Sequence, residues 1–175
     1  MRPVVALLVV LGSLTLATRA AAQVPLDRSR DQGVGATIGL ASGTGISYQE
    51  ILPSAFGFRG ALLAWKKGDS SFFDVGASAL RILSDDGRRR VYLVGSLGYW
   101  RRSDEETEAV FDGDGNLISE RVFDEVDDSG AIGVGAGVEL PFGGSAALSL
   151  EGVFTYWTDS GDLLPLPQAS IHWLF

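Results

Sequence analysis

Side chains along this chain alternate between apolar and small or polar at every second position, and they do so in eight separate segments. Period two marks strands with two unlike faces. The first segment runs over about Val34–Ala41, with Val34, Ala36, Ile38 and Leu40 opposing Gly35, Thr37, Gly39 and Ala41. The second covers about Thr44–Leu52, where Ile46 and Tyr48 oppose Gly45, Ser47 and Gln49 and Glu50 breaks the pattern. About Phe56–Lys66 and about Ser71–Leu83 follow, with Arg81 interrupting the latter. The fifth is about Arg90–Arg101, the sixth about Ala131–Leu140 and the seventh about Ser145–Trp157. In the eighth, Pro165–Phe175, the residues Ala169, Ile171, Trp173 and Phe175 share one face, and Gln168, Ser170, His172 and Leu174 share the other. No sustained helical period occurs outside the first 22 residues.

One face is apolar in every segment. The other is rich in Gly, Ser and Thr with scattered charge. A soluble barrel turns its apolar face inward and studs the outside with charge. Here the polar face is too small and too sparsely charged to meet water, and it fits a narrow interior better. The pattern therefore predicts an all-β, eight-stranded antiparallel up-and-down barrel with its apolar face toward lipid. Closure is required, because an open edge would leave backbone groups unpaired in hydrocarbon. With the N-terminus delivered to the periplasm, the connections near Ser42-Gly43, Lys67–Ser70, Ser103–Asp128 and Thr158–Leu164 face outward. Those near Pro53-Ser54, Ser84–Arg89 and Pro141–Gly144 face the periplasm. Trp65, Tyr99, Trp100, Tyr156 and Trp157 are expected at the outer rim and Phe56, Trp173 and Phe175 at the inner.

The first 22 residues read as a cleavable signal peptide: a basic Met1-Arg2-Pro3, an apolar run from Val4 to about Ala17, and Ala20-Ala21-Ala22 before Gln23. The barrel domain is then 23–175. The closing motif Ile171, Trp173 and Phe175 resembles the last strand of a bacterial outer-membrane barrel, and the whole pattern resembles the small outer-membrane protein A/X-like barrels. That resemblance implies that the terminal aromatic is an assembly signal read by the barrel assembly machinery. It also implies a structural or surface-interaction role in a Gram-negative cell envelope, among outer-membrane lipids and lipopolysaccharide.

Charge sharpens the picture. The formal net charge is −8, and Ser103 to Asp128 holds eleven acids against one base, Arg121. The acidity belongs to one outer loop, which disfavours nucleic acid and favours a cationic extracellular partner. Within it, Asp112-Gly113-Asp114-Gly115-Asn116 does not complete a calcium loop, because Leu117 and Phe123 occupy the required Gly and Glu positions. It reads instead as a hairpin turn that carries the fifth and sixth strands beyond the membrane as a ribbon 103–128, with loose divalent-cation binding left open.

Arg59, Asp74, Glu139 and Glu151 fall on the inward face and predict a lumen ion network. Such a network plugs a narrow barrel; a proton or ion path is the alternative. Lys66, Lys67, Arg101 and Arg102 lie where strands leave the outer belt. They are candidate lipopolysaccharide contacts, or partners for the loop acids. Arg88-Arg89-Arg90 reads as a solvated strand end. His172 is the one histidine, near the periplasmic end and away from any evident partner. Lipid A-modifying barrels place their histidine near the outer leaflet, so no enzyme activity is expected, and no cofactor or metal. A soluble lipocalin-like barrel binding an apolar ligand and a narrow pore remain as rival readings.

Overall fold

A computed structural model describes residues 31–111, 117–142 and 144–175, with the side chains of 105–124 outside that description. The expected signal peptide and the Asp112–Asn116 turn lie outside the described residues.

Eight strands follow one another: β1 (Gln32–Ile38), β2 (Gly45–Ile51), β3 (Phe56–Lys67), β4 (Ser70–Asp85), β5 (Arg90–Phe111), β6 (Leu117–Phe142), β7 (Ala146–Trp157) and β8 (Leu163–Leu174). Each pairs antiparallel with the next, and β1 pairs with β8, so the sheet closes. Backbone edges are thereby paired around the whole circle over the height that β1 and β2 reach. The wall is uneven in height. β1 and β2 have 7 residues each, whereas β5 has 22 and β6 has 26. The excess of β5 and β6 pairs with itself from Asp104↔Glu125 to Phe111↔Leu117, forming a two-stranded ribbon above the barrel. We call that the ribbon end, and the opposite one the terminal end.

The two faces sort as the alternation requires. Val34, Ile38, Ile46, Phe58, Leu62, Leu97, Phe154 and Trp173 are exposed on the outside. Thr37, Gln49, Arg59, Ser96, Glu139, Glu151, Ser170 and His172 are buried inside. This is the reverse of a soluble barrel, which hides its apolar face. The enclosed face is less uniformly polar than expected. Ile51, Leu80, Ile82, Tyr92, Val94 and Val153 also point inward and pack together, mostly toward the terminal end.

Two apparent breaks in alternation keep the register. Arg81 lies on the outer face, with its guanidinium 4.4 Å above the Phe56 ring and donating to the Ser54 carbonyl. Glu50 also sits on the outer side, where it accepts from the Tyr48 hydroxyl at 2.9 Å. Both lie in the last turns of wall at the terminal end, where a long polar side chain can reach past an apolar band. At the ribbon end, Tyr99 and Tyr156 are exposed on the outside. Trp100 and Trp157 are half-buried and share the inward-facing set of positions, so the tryptophans form no outward girdle there.

Candidate functional site

The interior holds one connected chain of polar side chains. Arg59 on β3 donates from Nη1 to Glu151 Oε1 on β7 at 2.5 Å and from Nη2 to Gln49 Oε1 on β2 at 2.8 Å. Gln49 passes the chain on by donating to Glu139 Oε2 at 2.7 Å. Arg90 donates to the other Glu139 oxygen at 3.2 Å and lies 2.9 Å from Asp85 Oδ2. The Tyr92 hydroxyl donates to Glu151 at 2.7 Å. Three carboxylates therefore face two guanidiniums, and Gln49 joins the two groups because an amide can accept and donate at once. Buried charges persist only when paired and hydrogen-bonded in this way.

Three of the four expected network residues, Arg59, Glu139 and Glu151, meet here. Asp74 does not. It stands toward the ribbon end, across from Leu63 on β3 and Trp100 on β5. Alternation assigns a face but no height along the barrel axis, so it could not separate Asp74 from the others. Arg90 corrects a second expectation. It is fully buried with Asp85, Glu139 and Asp31 around it, not a solvated strand end. The signal was present in the sequence: Arg90 keeps step with inward Tyr92 and Val94. Its neighbour Arg89 is exposed and pairs with Asp86. The backbone N–H groups of Arg89 and Arg88 hold the Asp86 carboxyl below its ordinary range.

Glycines let side chains meet across an intervening strand. Ser47 and His172 both neighbour Gly35 in register, one from β2 and one from β8. With no side chain between them, Ser47 Oγ and His172 Nε2 lie 2.9 Å apart. A Cβ on Gly137 would come within 2.7 Å of both Glu151 Cγ and Tyr92 Cζ, so glycine there admits the Tyr92–Glu151 bond. His172 thus has a partner that the sequence did not reveal. The pair is fully buried, and His172 Nδ1 has no hydrogen-bond partner, so no acidic group orients the ring as a nucleophile-activating arrangement requires.

The four basic residues near the ribbon end do not form one patch. Lys66 and Arg101 lie on the outer face, in the rows Lys66↔Ser71↔Ser103 and Ala64↔Phe73↔Arg101. Lys67 and Arg102 alternate to the other face. There Arg102 donates to Asp104 at 2.6 Å, beside the Trp65–Phe72 ring pair, whose centroids are 6.4 Å apart. The Ser70 hydroxyl, and then Arg102, hold the Asp104 carboxyl below its ordinary range. Ser129 on β6 does the same for Asp159 in the β7–β8 connection. At the terminal end, Trp173 and Phe175 are exposed on the outside, Ile171 is half-buried, and Phe175 N donates to the Gln32 carbonyl. Among the described residues, no three acidic or histidine side chains are placed to hold a metal ion.

No protein-family model and no curated protein matches the chain. Among solved structures it is similar to the N-terminal β-barrel domain of Pseudomonas aeruginosa OprF, with a TM-score of 0.47 and 13% identity over 83% of this chain and 96% of that one. It is also similar to the Yersinia pestis outer membrane protein Ail in a phospholipid bilayer nanodisc, with a TM-score of 0.40 and 13% identity over 83% and 97%. Eight antiparallel strands closed on themselves, apolar outside and charged within, make this chain an eight-stranded antiparallel β-barrel.

Proposed function

We propose that this protein is a non-enzymatic barrel of the Gram-negative outer membrane with a structural or surface-interaction role. The observation that carries the reading is the exposed apolar surface contributed by every strand. Val34, Ile46, Leu62, Val75, Leu97, Ile132, Phe154 and Trp173 represent β1 to β8 in turn. An apolar surface encircling the whole molecule far exceeds the patches that soluble monomers tolerate. A lipocalin-like carrier would need the opposite arrangement, and a narrow pore would need a lumen free of the Arg59–Glu151 and Arg90–Glu139 pairs.

In this reading the ribbon end faces the medium. The acidic 103–128 segment is the exposed recognition element, favouring cationic partners at low salt. Lys66 and Arg101, on the outer face at the rim, would be the residues to meet lipopolysaccharide phosphates. Lys67 and Arg102, on the inner side, would not take part. Assembly would pass through the barrel assembly machinery, with Ile171, Trp173 and Phe175 as its signal. Membrane fractionation with electrophoresis before and after boiling tests the proposal. A heat-shifted band in the outer-membrane fraction is expected, whereas heat-insensitive migration from a soluble fraction would overturn it.

A further inference from the structure

The connection between β1 and β2 does not stand out from the barrel. It turns into it. Ala41, Ser42 and Gly43 are buried, although the sequence reads as an outer turn. Three inward glycines make the room. A Cβ on Gly76 (β4) would lie 2.2 Å from the Ser42 carbonyl carbon. One on Gly98 (β5) would lie 2.9 Å from the Ala41 carbonyl oxygen, and one on Gly133 (β6) would lie 2.8 Å from Ala41 Cβ. The seated turn is tied to the wall: Ser42 Oγ donates to Gln168 Oε1 at 2.5 Å. Gly43, at φ 80°, supplies the left-handed backbone that the turn requires.

Beneath the turn, one wall of the lumen carries buried polar atoms without protein partners. Thr37, Ser170 and Ser149 stand in a single row across β1, β8 and β7, and none of their hydroxyls is hydrogen-bonded. Gln168 Nε2 and His172 Nδ1 flank that row along β8, and Glu151 Oε2 adjoins it on β7. The Arg90–Glu139 pair and the inward apolar side chains close the terminal end. Buried polar groups in folded proteins are satisfied in nearly every case, by water where the protein offers nothing.

We propose that this wall is a binding site for a file of ordered water molecules, occluded at the ribbon end by the 39–44 turn acting as a stopper. Each water finds two or more donors or acceptors among adjacent hydroxyls, and solvent exchange requires the stopper to leave its glycine socket.

Magnetic relaxation dispersion of the water signal, measured on the assembled full chain, tests both parts. The native protein is expected to show internal water with a long residence time. Gly76→Ala pushes on the stopper, and Ser42→Ala releases it from Gln168 without adding bulk. Each should shorten that residence time by about tenfold or more, as local opening becomes easier. Ser170→Val should remove part of the dispersion outright, and Gly95→Ala, which meets nothing within 4 Å, should leave it unchanged. Absence of long-lived water in the native chain overturns the proposal. So does a dispersion indifferent to Ser170→Val, or a residence time untouched by Ser42→Ala and Gly76→Ala alike.

Discussion

The two ends of the lumen are closed by opposite means. At the terminal end, charged side chains reach inward from β3, β4, β5, β6 and β7 and pair with one another: Arg59 with Glu151, and Arg90 with Asp85 and Glu139. At the ribbon end the filling is backbone. A turn of small residues occupies space that Gly76, Gly98 and Gly133 leave empty. One closure depends on charge and hydrogen-bond count, the other on volume. The same substitution should therefore have different consequences at the two ends, and that difference can be measured.

The largest effect is expected from Arg90→Ala. It leaves Asp85 and Glu139 buried without their guanidinium, which costs about 3–5 kcal/mol when one partner of a buried pair is removed. The midpoint of the heat-dependent electrophoretic shift, or a urea titration in detergent, should fall accordingly. If the terminal end depends on charge, Arg59→Met should cost more than the double change Arg59→Met with Glu151→Leu, because the double change removes both charges together. Equal losses would show that packing dominates there too. At the ribbon end, Gly98→Val adds no charge yet should cost about 1–3 kcal/mol by overfilling the socket. A neutral result would remove the volume half of the comparison. Outside both ends the effects shrink. Arg81→Ala forfeits an exposed stack on Phe56 worth about 0.5–1 kcal/mol. Arg102→Ala should leave the unfolding midpoint within error, since its pair with Asp104 is solvated.

The wall was more legible in the sequence than its contents. Strand number, order and facing follow from period two, because a residue on the wrong face of a barrel is penalised at every step. Boundaries slipped where the penalty vanishes. β5 and β6 run far past Arg101 and begin well before Ala131 because the ribbon lies beyond the apolar band. The interior bonds depend on register and height, which alternation does not carry. Gln49 falls on the polar face of the second segment, but its place between Arg59 and Glu139 depends on the pairing Gln49↔Arg59. Ser47 and His172 looked unrelated because the residue that brings them together, Gly35, has no side chain to announce it. The inward glycines on β4, β5 and β6 were visible as a pattern. Their purpose was not, since it lies in a turn more than 30 residues away.

That separation bears on the order in which the molecule comes together. Gly76 and Gly98 face each other across β4 and β5, and Gly133 lies on β6, whereas the segment they receive joins the first two strands. The receptacle cannot exist until the middle of the chain has zipped into a curved sheet, and the insert cannot arrive until the leading hairpin has swung round to face it. Contacts so distant along the chain pay their loop-closure entropy before they return anything, and so they form late. Seating of Ser42 against Gln168 on the final strand is then a mark of completion: it occurs only in a cylinder that has already shut.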